Sequence, residues 1–281
     1  MTIIRTLLLL PLALGLLPAA SITMSISAPG EQATFITTAL TEDFNSLSTG
    51  NRTTSYIGTI GTYQLTTTSA FAILAANQFG GANGSRYMSI GAQSGTTGSV
   101  FLQLNADYNY FGFWWSAGDA KNGLSLYDGN QFLARISTAD IVAKLTPKTG
   151  TVQAVNGNFY NNALYFGNPN NTTQNTGEPY AYVSLVTAGT TFNRIVFDNS
   201  SFLSTGFEND NHSVYFGSVT VPGTSVFIST TQTAVPEPGT SVILTVGLLL
   251  VGFARLRRPA KLGNETICEN PSRPGSPPRH L

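Results

Sequence analysis

Between residues 34 and 221 the chain is written in short apolar runs broken by Gly, Asn, Asp and Ser. That punctuation limits its fold more than any other feature. Residues 99–104 (SVFLQL), 124–127 (LSLY) and 191–197 (TFNRIVF) are representative. Each alternates apolar with polar side chains or ends at a turn signal such as Asp128-Gly129-Asn130. Their β-branched and aromatic residues suit a pleated surface. Sustained helical periodicity is nearly absent; residues 138–145 read equally as one short helical turn or as a loop. No internal repeat of fixed period points to a propeller or solenoid. The pattern predicts an all-β fold, an antiparallel β-sandwich of jelly-roll-like type.

The densest aromatic stretch is residues 108–119 (YNYFGFWWSAGD). On a strand, successive side chains point to opposite faces. Tyr110, Gly112 and Trp114 then share one face, and Phe111, Phe113 and Trp115 the other. Apolar side chains on both faces predict a central strand with Phe111, Phe113 and Trp115 in the core. The alternative is that one face is a sugar-stacking platform, with Trp114 or Trp115 as the stacking residue.

Charged residues make up 10 % of the chain, against roughly 25 % in an average soluble protein. Gly, Asn, Ser and Thr take their place, as in many extracellular domains. The 17 Phe, 11 Tyr and 2 Trp supply enough apolar surface to exclude low-complexity disorder. Formal net charge is zero, and the body has no basic, aromatic-rich patch for nucleic acid. The only cysteine, Cys268, lies beyond the β-rich region, so no disulfide framework holds the fold.

Both ends read as addresses. Arg5, the apolar residues 7–17 and the small-residue zone Pro18-Ala19-Ala20 form a secretory signal helix. Residues 1–28 are assigned to signal peptide and leader, with the cut anywhere up to Ala28. At the other end, Pro236, Glu237 and Pro238 precede an apolar span and the cluster Arg255, Arg257 and Arg258. An apolar span followed by cations is a stop-transfer pattern, and this span is near the minimum length for a transmembrane helix. The expected organisation is a β-sandwich over 29–225, a linker over 226–238, a transmembrane helix with basic cluster over 239–258, and a disordered tail over 259–281.

The ordered set Pro236-Glu237-Pro238, apolar span and Arg255, Arg257, Arg258 resembles the PEP-CTERM sorting signal of bacterial surface proteins. Such tails normally stop just after the basic cluster, whereas this chain continues from Pro259 to Leu281. The resemblance implies an exosortase-type processing protease as partner, with the membrane as transient or lasting anchor and the cell surface or extracellular matrix as destination. Residues 113–119, 165–170, 178–183 and 206–212 resemble the β-rich body of exosortase-dependent surface proteins. That likeness implies location and fold, and supplies no catalytic residues.

The search for chemistry is short. No Gly-x-Ser-x-Gly elbow accompanies either histidine, His212 or His280. Gly80-Gly81-Ala82-Asn83-Gly84 lacks the lysine of a phosphate loop, and no Cys or His pairs have zinc spacing. Glu178 and Glu208 are the candidates for a glycoside-hydrolysing carboxylate pair. Calcium is the cofactor to look for, since it takes several oxygens from irregular loops. Glu42 and Asp43 near the start of the body, and Glu208 and Asp210 near its end, are the candidate ligands of a structural Ca2+ joining the two. The expected function is an exported, surface-sorted structural or adhesive protein associated with extracellular polysaccharide. The alternatives are a lectin-like carbohydrate-binding module and, behind it, a hydrolase.

Overall fold

The computed structural model describes residues 21–67, 69–95, 98–199 and 205–221. The first strands are β1 (Ser21–Ile26), β2 (Leu40–Glu42), β3 (Gly50–Arg52), β4 (Tyr56–Ile57), β5 (Gly61–Gln64) and β6 (Phe71–Leu74). Next come β7 (Tyr87–Gly91), β8 (Val100–Tyr108), β9 (Tyr110–Ser116), β10 (Asn122–Asp128) and β11 (Gln131–Ser137). Helix α1 (Thr138–Lys144) precedes β12 (Thr151–Gln153), β13 (Phe159–Asn161), β14 (Ala181–Ala188), β15 (Phe192–Asn199) and β16 (Gly206–Tyr215).

These strands build two main antiparallel sheets, as the punctuated apolar runs predict. An 8-stranded sheet runs β1-β14-β9-β16-β7-β6-β3, with β2 also paired to β16. A 6-stranded sheet runs β11-β10-β15-β8-β5-β4, and β12 and β13 form a separate ribbon. The turn signal Asp128-Gly129-Asn130 closes the β10–β11 hairpin, where Asp128 pairs with Gln131. Gly129 has φ +55 there, a conformation open to glycine at no steric cost. Where the sequence allows either a helical turn or a loop, the structure has α1. The Asp140 carboxylate accepts from the backbone N and the Oγ of Ser137, at 2.8 and 2.7 Å, and Ile141 packs into the core.

The sheets face each other across aromatic side chains. Phe111, Phe113 and Trp115 of β9 are buried, as their shared face requires. The Phe113 ring lies 5.3 Å from Phe111 and 5.4 Å from Trp115, and Phe111 meets Phe197 of the opposite sheet at 6.2 Å.

The other face of β9 is also covered. Trp114 packs with Ala82, Ala117, Tyr180 and Tyr182 in a second cluster, under loops hydrogen-bonded to the sheet. Tyr110 OH pairs with Thr34 Oγ1 at 2.8 Å, and Asn211 Nδ2 donates to Gln32 O at 2.8 Å. Gly112 is required here, because a Cβ would run into the hydroxyls of Tyr110 and Tyr182.

One boundary differs from the sequence reading. The first described strand, β1 (Ser21–Ile26), falls inside the stretch assigned to signal and leader. Ile22, Met24 and Ile26 of β1 are fully buried; in the sequence they follow on from the apolar residues before them, which hides their place in the core. The expected signal helix, linker, transmembrane helix and terminal tail lie outside the described residues. Among the described residues no helix is long and apolar enough to cross a membrane.

Candidate functional site

Strand β16 (GFENDNHSVY) carries the chemistry-bearing residues. Its register with β9 shifts between Asp210 and Ser213, and Asn211 there has φ +49. Such a bulge changes which side chains face inward. Asn209, opposite Trp115, and His212 therefore both point between the sheets. Glu208 and Asp210, opposite Ser116 and Trp114, point to the outer face.

His212 is a core residue. Its Nε2 lies 2.7 Å from Asn209 Oδ1 and its Nδ1 lies 2.9 Å from Tyr63 OH. The Asn209 amide nitrogen donates to Phe207 O at 3.1 Å, which leaves its oxygen to accept from Nε2–H. The neutral Nε2–H tautomer satisfies both contacts. The ring stacks on Phe197 at 4.8 Å, and burial pushes its pKa down to about 3.

The four carboxylates expected to share a calcium ion are not gathered. The backbones do meet, since Glu42 pairs with His212. This same pairing sends the Glu42 side chain to the inner face, opposite to Glu208 and Asp210. Glu42 Oε1 accepts from Phe44 N at 3.0 Å; its Oε2 accepts from Thr59 N at 2.8 Å and Tyr56 OH at 3.2 Å. Asp43 is exposed and accepts from Asn45 N at 3.0 Å. Asp210 Oδ2 accepts from Ala82 N at 2.9 Å and Ser85 Oγ at 2.7 Å. Glu42, Asp43 and Asp210 are thus each engaged by a separate set of hydrogen-bond donors. Among the described residues no group of three or more His, Cys, Asp or Glu is placed to hold a metal ion.

Glu178 and Glu208, by contrast, do come together. With Asp119, Gln93 and Phe79 they line a cavity of about 270 Å³. It sits where β9 ends, β16 begins and the loop before β14 returns. Glu208 is buried, and its Oε1 accepts from Ser89 Oγ at 3.3 Å. Burial, with the nearby Asp119 charge, pushes its carboxyl up to about 8. Burial raises Asp119, and burial followed by the Asp119 charge raises Glu178. Asp210 is pushed up to about 7, mainly by burial. Burial therefore favours the protonated form of Glu208 over the charged one. Sequence reading missed Asp119 as a partner, because only the fold brings the end of β9 beside residue 178.

The tryptophans do not form a sugar platform. Trp114 is 2 % and Trp115 1 % exposed. Trp114 is capped by Tyr180 at 6.3 Å, and Trp115 packs on Phe207 at 5.0 Å. Aromatic rings reach solvent on the outer face of the 6-stranded sheet instead. Pairings across it align Phe132, Tyr127, Arg194, Gln103 and Thr62 in one row. The Arg194 guanidinium lies 4.4 Å from the centre of the Tyr127 ring, and Phe132 meets that ring edge-on at 5.6 Å. Tyr127 and Phe132 flank the hairpin signal Asp128-Gly129-Asn130, a clue the sequence did contain; Arg194 comes from a distant strand. The sorting residues Pro236, Glu237 and Pro238, and the cations Arg255, Arg257 and Arg258, lie outside the described residues.

Neither the protein-family models nor the curated proteins contain a match to this chain.

Proposed function

We propose that the chain is an exported bacterial surface protein whose jelly-roll-like sandwich serves as a structural or adhesive module within extracellular polysaccharide. In this reading residues 239–258 halt in the membrane with Arg255, Arg257 and Arg258 on the inner side. An exosortase-type protease then acts at Pro236-Glu237-Pro238. The observation that carries the reading is where the body's two ends leave it. Ser21 pairs with Ala188 at the tip of β14. At the far end of the described chain, Phe216–Val219 line a groove with Ala188 and Gly189. Asn109 ties this exit down, donating to Gly217 O at 2.8 Å and accepting from Gly217 N at 3.1 Å. The described body thus begins and ends at the same end of the sandwich. The carboxylate cavity lies at the other end of β14, 8 residues or roughly 25 Å along the strand. Deleting residues 236–258 tests the reading: the body should move from the cell surface to the medium, and mature surface protein should lack Arg258. Retention at the surface after the deletion contradicts it.

A second reading, a lectin-like module, is favoured by the open row through Phe132, Tyr127 and Arg194. Stacking on aromatic rings with polar groups alongside suits sugar chains. Loss of polysaccharide binding in Phe132→Ala, with unchanged melting, would support it; unchanged binding would remove that face from consideration.

A further inference from the structure

We infer that the leader is cut immediately ahead of β1, so that the mature chain begins at Ser21 or Ile22. The inference rests on the export reading above. A signal peptidase needs small side chains around the cut, spaced two apart. The sequence offers such places at Pro18-Ala19-Ala20-Ser21 and again at Ser25 and Ser27, and pattern alone does not choose between them.

The fold does choose. Six consecutive pairs join β1 to β14, from Ser21↔Ala188 to Ile26↔Val183. Ile22, Met24 and Ile26 are 0 % exposed and belong to the main core cluster. The segment is also fastened at its far end. Val155 N donates to Ile26 O at 2.9 Å, Ser27 N donates to Tyr182 O at 3.0 Å, and Tyr165 OH donates to Ser27 O at 2.8 Å. A cut after Ser27 would remove three core side chains and the acceptors of Val155 and Tyr165. It would also turn β14, a strand buried over nearly its whole length, into an open sheet edge of the kind that pairs with other chains. A cut after Ala20 leaves all of this in place, and a cut after Ser21 gives up only the terminal Ser21↔Ala188 pair.

The test is the N-terminus of the full chain, made with its own leader in a secreting bacterial host and read by mass spectrometry after export. Ser21 or Ile22 is expected; a start at Ala28, or anywhere from Thr23 to Ser27, overturns the inference. The double variant Ala19→Phe, Ala20→Phe changes residues ahead of β1 and should lower the processed fraction at least tenfold. Undiminished processing to Ala28 in that variant overturns it equally. An intact Met1 on the wild-type protein is a different failure, which overturns the export reading and this inference with it.

Discussion

On the 8-stranded sheet, Trp114, Tyr182 and Asp210 point away from the sandwich interior and are still buried, at 2 %, 1 % and 0 % exposure. On the 6-stranded sheet, side chains in the equivalent orientation meet solvent, with Phe132 at 53 % and Ile57 at 80 %. One sheet has a third layer, made of the loops that carry Thr34, Ala82, Ser85 and Tyr180, and among the described residues the other has none. The strand sequences follow this difference. Every residue of β9 is buried, whereas β11 begins with two exposed positions and mixes exposed with buried ones thereafter. A strand apolar on both faces is a strand covered on both sides.

Single substitutions can break this contrast. Phe113→Ala, between the sheets, should cost about 3–5 kcal/mol. If the loops are a genuine layer, Trp114→Ala on the outer face should cost as much, read by thermal or denaturant unfolding. A Trp114→Ala cost below about 1 kcal/mol would show the covering loops to be loosely held. Asp210→Ala removes the acceptor for Ala82 N and Ser85 Oγ and should cost about 1–3 kcal/mol. Phe132→Ala on the open face should change stability by no more than about 0.5 kcal/mol.

The covered face also has its own pH dependence. Glu208 and Asp210 have folded pKa values above their unfolded ones, about 8 and about 7. Their contribution to stability is fully present below the unfolded carboxylate range and is lost as pH rises through 7 and 8. His212 has the opposite sign. Its folded pKa, about 3, lies below the unfolded value, so its contribution is present above pH 6.5 and lost as pH falls toward 3. Melting temperature should therefore fall between about pH 5 and about pH 9. Glu208→Gln should reduce that fall and melt higher than wild type at the alkaline end. A Glu208→Gln protein that melts lower there would show that the carboxylate is ionised and held by contacts that favour its charge.

The strands and hairpins were legible because their signals are local: a period of two, and glycine or asparagine at the turns. The core assignment of Phe111, Phe113 and Trp115 followed from parity alone. Parity also explains the failure over calcium. Residues 208–211 read as one polar cluster, but alternation and the bulge at Asn211 divide it between two faces. Glu42, on the partner strand β2, falls on the inner one. The carboxylate cavity was half legible: Glu178 and Glu208 were the candidates for a carboxylate pair, while Asp119 joined them only through the closing of β9 onto β16. The role of β1 was hidden because Ile22, Met24 and Ile26 continue the apolar character of residues 7–20.

The most direct test of a covered sheet beside an open one uses the protein's own probes. Its 2 tryptophans are adjacent in sequence and lie on opposite faces of β9, Trp115 between the sheets and Trp114 beneath the loops. Iodide, which is charged and stays in water, should leave the fluorescence of the folded protein almost unquenched. The Trp115→Phe variant, in which Trp114 alone emits, should behave the same way. Ready quenching of Trp114 in that variant, while it remains folded by circular dichroism, would mean the outer face is open and the third layer does not exist.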